Sequence, residues 1–574
     1  MRDPRTPAPR WSVAKRPHPS PPRWSAGTHP SPPPWSVGRR SAGRWGSPRA
    51  SEAERGGGRA RTTHPAAAAI ALVLATAGCT SAVEGPSPSN NKPEPGTLRI
   101  LASSELVDMT PVLDQVHKDT GIKVKPTYIG TLDAVDVLAK GGAKGAYDAV
   151  WLSSNDYLRL DPAAAKQVVS QTPVMSSPLA IGVKPATVRK LGWKPEDVTW
   201  ADIGKAVRGG GLTYGMTDPS RSNSGFSTLV SVASGLSDAQ SALTDADVKE
   251  ATPRLTEFFK GQKLTSGSSG WLAQAYDRRG DVDALLNYES VLESRKDLTV
   301  IRPRDGVVTA DYPLSSLTNT GREVREDVRR LAEALRTPAI QRLITERTLR
   351  RPVVPSVPPA AGLDTTRRRE LPFPGSRSVA DGLLDSYENK LRRPSRTVYV
   401  LDTSGSMGED GRLGRLKKAL TDLTGDFRER EEVTLMPFGS AVKSVRTHVV
   451  RPEDPRSGLD GIRRDTRALT AEGDTAIYTS LQKAYEELGA DGDTFTSVVL
   501  MTDGENTEGA SPAEFDGFYG RLSAAERRIP VFPILFGDSD RGELEHIAEL
   551  TGGRLFDARK GSLDGAFKEI RGYQ

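Results

Sequence analysis

Apolar residues recur in two rhythms along this chain. Short apolar runs alternate with stretches whose apolar residues fall three and four apart. The first rhythm reads as buried strand and the second as amphipathic helix. Residues 98–101 predict a strand and 109–118 a helix on Val112, Leu113 and Val116. A strand at 122–128, a helix at 132–139 and a strand at 149–152 follow. Such alternation predicts a parallel sheet, with ligands held beyond the carboxyl ends of its strands. Ser- and Thr-rich turns recur there, at Ser103-Ser104, Gly130-Thr131 and Ser153-Ser154. Their hydroxyls and helix starts suit a small polar or anionic ligand.

The alternation resumes after residue 395. A buried strand at 397–401 precedes a helix at 413–427 on Leu416, Leu420 and Leu423. A strand pair turns at Gly439-Ser440, and a helix is expected at 477–488. Further strands at 498–505 and 529–536, a helix at 544–550, an edge strand at 554–556 and a terminal helix complete a doubly wound α/β domain. Between the halves, residues 351–394 are rich in Pro and Arg and read as a linker. Residues 379–391 within it predict a short helix docked on the last domain.

Composition changes the picture at the amino terminus. The chain of 574 residues has a formal net charge of +6, yet residues 1–61 alone hold 13 Lys and Arg against 3 Asp and Glu. The remainder is therefore mildly acidic, which gives nucleic-acid binding little electrostatic support. Residues 1–58 lack apolar periodicity, repeat Pro-, Arg- and Trp-containing phrases, and read as an unfolded leader from an over-called start. Residues 59–79 combine basic residues, about a dozen apolar ones and the small residues before Cys79, the chain's single cysteine. That run is short for a bilayer span and fits a secretory signal. It resembles a bacterial lipoprotein signal, which implies that Cys79 is lipidated and anchors the protein on the extracytoplasmic face of the membrane. Residues 80–95 read as a polar tether.

The chemistry concentrates at 397–407, TVYVLDTSGSM. Asp402, Ser404 and Ser406 alternate, so an extended segment projects all three the same way. Oxygen donors of this kind suit Mg²⁺ or Mn²⁺. Downstream stand Gly473-Asp474-Thr475 at a helix entrance and Thr502-Asp503-Gly504 after a strand. Together these residues resemble the von Willebrand factor A family with its metal-ion-dependent adhesion site. The resemblance covers 395–574 and implies a metal set of Asp402, Ser404, Ser406, Thr475 and Asp503, with a partner's carboxylate completing the shell. Two carboxylates neutralise a divalent ion, and an open position still favours an incoming anion.

Residues 96–350 are similar to extracellular solute-binding proteins of ABC importers, nearest the oxyanion-binding kind. The phrases are LRILASSEL, TGIKVKPTYIGTLD, YDAVWLSSNDYLRL, SPLAIGV and TDPSRSNSG. This resemblance implies two lobes, a return crossing near Asn287-Tyr288-Glu289, and ligand positions at Ser104, Thr131, Ser154, Ser224 and Tyr288. Asp133, beside the Gly130-Thr131 turn, departs from the family's small Gly-Ser-Ser turn; it either opposes an anion there or, as the default, stands exposed in the first turn of the next helix, which leaves the ligand class open. Arg279-Gly280-Asp281 spells an adhesive tripeptide, here read as a solvated loop.

The expected protein is a lipid-anchored extracytoplasmic binding protein and not an enzyme. Its middle domain takes a small solute, and its last domain grips a protein or acidic ligand through the metal. One alternative is an importer subunit with an accessory domain. The other is a metal-dependent phosphatase-like enzyme, disfavoured because Ser404 stands where such an enzyme needs a second acid.

Overall fold

In the computed structural model, the described residues are 96–425, 427, 430–489, 494–559 and 563–573. The leader, the signal-like run with Cys79 and the tether lie outside them. The strand rhythm at the start of residues 96–350 builds one lobe. Its sheet runs Lys123–Ile129, Thr97–Ser103, Ala149–Trp151, Pro313–Leu317, Val168–Pro173. The first three strands are parallel, and Pro313–Leu317 returns antiparallel to both its neighbours. The second lobe orders Thr309–Ala310, Ser177–Val183, Ala284–Tyr288, Tyr214–Thr217 and Gln262–Ser266, with Thr299–Ile301 also paired to Ser177–Val183. The return crossing falls at Asp311-Tyr312, beyond the expected Asn287-Tyr288-Glu289. After Tyr288 the chain adds a short helix and two short strands to the second lobe before it leaves.

Residues 351–394 follow a packed course over both lobes. Arg351 makes an antiparallel bridge to Ser176 and grips Glu289 with Nε and Nη2 at 2.6 and 2.7 Å. Glu370 accepts from the backbone and hydroxyl of Thr309. The helix Arg377–Ser386 is capped by Ser376 and buries Val379, Ala380 and Leu383 in the second-lobe core. Its Arg377 reaches the first lobe, 2.8 Å from Asp161 and 4.5 Å from the Tyr157 ring centroid. This helix therefore docks on the solute-binding half, where the sequence alone pointed to the last domain.

The last domain is one six-stranded sheet, ordered Arg446–Val450, Glu431–Phe438, Ser395–Asp402, Phe495–Thr502, Val531–Leu535, Phe556–Asp557. All pairs are parallel except the first edge pair. Helices cover both faces over two cores, one on Leu416, Leu420 and Phe567, the other on Ile477, Leu481 and Phe515. The helix Pro455–Ala468, which the apolar pattern did not announce, packs beside the edge strand.

Backbone meets backbone where the end of the last domain touches the second lobe. A Cβ on Gly572 would lie 2.8 Å from the Gly267 Cα and 3.0 Å from the Arg221 Cδ. Overpacking of this kind costs about 1–3 kcal/mol. Gly572→Val is therefore expected to weaken the contact while sparing both cores. Scanning calorimetry should then resolve the solute-binding half from the last domain, whereas an unchanged profile would show that the contact holds nothing.

Candidate functional site

The carboxyl edge of the last sheet collects the predicted metal residues because its central strand is parallel to both neighbours. Asp402 ends that strand opposite Phe438, and Leu401 pairs with Met501, so Asp503 emerges beside the Asp402 loop. Asp402 is fully buried, and Ser404, Thr475 and Asp503 are nearly so. Asp402 accepts from the Ser404 backbone N–H at 2.8 Å and from the Thr502 hydroxyl at 2.6 Å. The Ser404 and Ser406 hydroxyls are 3.1 Å apart, and Ser406 donates to Asp503 at 2.9 Å. The Thr475 backbone is held to Thr507, and the Gly405 N–H donates to the Gly473 carbonyl at 2.8 Å, which ties the two loops together. The Thr475 hydroxyl lies 3.9 Å from where a Cβ on Gly504 would sit, so it faces the loop after Asp503.

Burial pushes the Asp402 carboxyl up; hydrogen bonds from Thr502 and Ser404 pull it back, and the charge of Asp503 adds to the rise. The cluster thus carries two buried carboxylates and little cationic compensation. Lys443 stands near, but its ammonium is spent on the carbonyls of Thr403, Thr470 and Glu472. Arg412 bonds one of the two, with Nη1 2.8 Å from Asp503 and Nη2 2.8 Å from the exposed Asp538. The donor set fits a hard divalent cation, being all oxygen, short of positive charge and limited to two acids. Among the described residues no group of three or more His, Cys, Asp or Glu is placed to hold a metal. Arg412 has no sequence signal, since it looks like any basic residue opening an amphipathic helix. Gly537-Asp538 was legible as a loop following a strand on the same edge.

A second polar cluster lies between the lobes. Thr131 bonds Ser103 at 2.6 Å and Ser153 at 3.1 Å, and Ser153 also reaches Glu105. From the second lobe, Ser224 bonds Thr217, Ser222 and Ser269 at 2.8–3.0 Å. Asn223 donates to the Tyr288 hydroxyl at 2.7 Å. Thr131, Ser224 and Tyr288 are thus buried in hydrogen-bonded networks. Ser104 is half-buried at the start of the turn Ser104–Met109, while Ser103 makes the bonds. Ser154 bonds Asp156, while Ser153 faces the network. The members of these networks outside the expected ligand positions are Ser103, Ser153, Glu105 and Asn223, the first two lying in turns the sequence had marked. Their signal was one position away in two cases, because a strand's last side chain and its successor point oppositely. Burial pushes the Glu105 carboxyl up, and the Ser153 hydroxyl pulls it back. Asp133 is 4.0 Å from Arg221 of the second lobe, a charge pair that spans the cleft.

Residues 98–347 match the family model described as bacterial extracellular solute-binding protein. Residues 397–505 match that of the von Willebrand factor type A domain. The chain thus joins a region that matches a solute-binding domain to one that matches a von Willebrand factor A domain. Among curated proteins it is similar to inter-alpha-trypsin inhibitor heavy chain H1 of Bos taurus, 28% identical over 29% of this chain and 19% of that protein. It is also similar to calcium-activated chloride channel regulator 1 of Bos taurus, 27% identical over 31% and 19%. The chain spans about a fifth of the length of the curated relatives it matches. Among solved structures, the periplasmic binding protein AfuA from Actinobacillus pleuropneumoniae aligns at 12% identity and TM-score 0.42, over 52% of this chain and 99% of that one. The periplasmic thiamin binding protein aligns at 15% and 0.41, over 53% and 98%.

The interlobe crossing carries a half-buried acid, Asp311. Burial pushes the Asp311 carboxyl up to about 6; the charge of Asp156 adds to this and that of Arg159 opposes it. The folded chain then holds this proton more tightly than the unfolded chain, whose carboxyl titrates near 4. Ionisation of Asp311 therefore costs stability as pH rises from about 4 through about 6. Asp311→Asn is expected to leave stability at about pH 4 unchanged and to raise it at about pH 8 by roughly 1–3 kcal/mol. Urea unfolding at the two pH values checks this, and an equal gain at both would refute it.

Proposed function

We propose that this chain is a lipid-anchored, extracytoplasmic adhesion or sensor protein. Its last domain grips a protein or acidic ligand through Mg²⁺ or Mn²⁺ held by Asp402, Ser404, Ser406, Thr475 and Asp503. The observation that carries the reading is the pair of buried carboxylates at one sheet edge, ringed by hydroxyls, with Asp503 alone of the two meeting an arginine. A divalent ion supplies the missing charge, and its open position takes an anionic group from the partner. The middle domain takes a small polar solute between its lobes, at Thr131, Ser224 and Tyr288. Ser103 and Ser153 lie beside the expected Ser104 and Ser154. Cys79, outside the described residues, is the proposed anchor. Among the described residues no helix is long and apolar enough to cross a membrane.

Arg412 and the metal compete for Asp503 in this reading. Arg412→Gln removes a cation 2.8 Å from that carboxylate and is expected to raise Mn²⁺ affinity about tenfold. Asp402→Ala is expected to abolish binding. Titration calorimetry with Mn²⁺ reads both; unchanged or weaker affinity in Arg412→Gln would remove Arg412 from the site's control. For function, the full chain is used as bait in envelope extract with Mg²⁺ or with chelator. A partner retained with metal and lost in chelator and in Asp402→Ala is the expected result. A partner held equally in chelator would sink metal-dependent adhesion.

A further inference from the structure

A cleft of about 480 Å³ separates the second lobe from the last domain. One wall is the helix Ser269–Arg279, which presents Trp271, Arg278 and Arg279. The facing wall is the amino-terminal edge of the last sheet, where strands begin at Phe495 and just after Pro530. The Asp402–Asp503 cluster occupies the opposite, carboxyl edge, so this cleft is independent of the metal reading. Its volume lies within the range of small-ligand sites, about 300–1,000 Å³, and domain boundaries are where such sites concentrate.

The lining is strongly basic. Arg278, Arg279, Arg527, Arg528 and Arg554 converge on it, and Glu549 is the one acid in the lining. Asp281 pairs with Arg279 and Arg528 at 3.0 and 3.4 Å, and Glu569 pairs with Arg554. Five guanidiniums against three carboxylates leave two positive charges. Among the described residues, Arg278 and Arg527 have no carboxylate partner. Arg278 donates to the Gly553 carbonyl at 2.7 Å and Arg527 to the Gly520 carbonyl at 3.3 Å. Each guanidinium offers five N–H groups, so most of that capacity remains for a ligand. Like charges brought from two domains repel across the gap unless an anion sits between them.

Five aromatic side chains, Trp271, Phe495, Tyr519, Phe532 and Tyr573, stand in the lining among small and aliphatic residues. Trp271 packs under Arg554, whose guanidinium carbon is 4.1 Å from the ring centroid, and Tyr519 and Tyr573 add two more rings. Guanidinium forks match phosphate oxygens in pairs, and the rings suit a flat apolar group. We propose that this cleft binds a small dianion bearing an aromatic portion, of the phosphate-monoester type.

Phenyl phosphate is the probe. It is titrated calorimetrically into the full chain in EDTA, which removes any divalent ion. The expected result is a Kd below about 1 mM, with inorganic phosphate and phenol each binding about tenfold more weakly. Arg278→Ser combined with Arg527→Ser should weaken phenyl phosphate by about tenfold or more. Both arginines are exposed, so the double variant should keep the parent's unfolding temperature, and that is checked first. Trp271→Phe should remove the ligand-induced change in tryptophan emission. No binding by about 5 mM, or equal affinity in the double variant, overturns the site. Equal affinity for phenyl phosphate and inorganic phosphate overturns the aromatic part of the ligand.

Discussion

Everything at the carboxyl edge of the last domain depends on one strand being paired in parallel on both sides. Ser395–Asp402 lies between Glu431–Phe438 and Phe495–Thr502 in unbroken register. Parallel pairing sends all three strand ends, and the loops that follow, to one edge. Asp402 and Asp503, a hundred residues apart in the chain, become neighbours for that reason. The strand is also where the packed stretch over the solute-binding half runs into the last domain. Its start is anchored by Arg396, which bonds Glu432 on the adjoining strand at 2.6 Å.

The solute-binding half is held by buried charge as well as by apolar packing. Glu289 is fully buried and meets Arg302 and Arg351, one from the second lobe and one from the crossing segment. Arg350, also buried, pairs with Asp108 of the first lobe at 2.7 Å. Removing Asp108 would strand the buried Arg350 guanidinium in a low dielectric, at a cost of about 3–5 kcal/mol. These pairs fix where the chain recrosses the lobes. The helix Arg377–Ser386 then touches both lobes at once, through Arg377 on Asp161 and through its apolar face on the second-lobe core.

The tripeptide Arg279-Gly280-Asp281 illustrates how tertiary contacts decide what a motif can do. Arg279 folds back on Asp281, and Arg528 of the last domain takes the same carboxylate. Its charges are engaged at a domain boundary and are not presented together to a partner. Burial acts upward on the Asp281 carboxyl, but the two arginines outweigh it and hold the group below its ordinary range.

Much of the fold was legible because local pattern and tertiary role agree. The helix Ile477–Leu488 and the first strands and helices of the solute-binding half fall within a residue or two of their apolar periods. The five proposed metal positions stood out because they match, in order, the motif of the family that residues 395–574 resemble. The helix Pro455–Ala468 was not legible, because much of its contact face is glycine. A Cβ on Gly458 would meet the Val449 carbonyl oxygen at 2.5 Å, and one on Gly461 would meet His448 at 2.5 Å. Close backbone approach leaves only Leu459 and Ile462 as an apolar stripe to read. The sequence by itself determined strands, helices and the oxygen-donor loop, since these follow from short-range periodicity and spacing, and its motifs carried the resemblance that named the two domain types. The tertiary structure alone decided that Arg412 bonds Asp503, that Ser103 and Ser153 rather than their successors bond Thr131 in a buried network, and that five arginines share one gap. Those facts depend on which side of a strand a residue points to and on which distant segments pack together, and neither is written in local pattern.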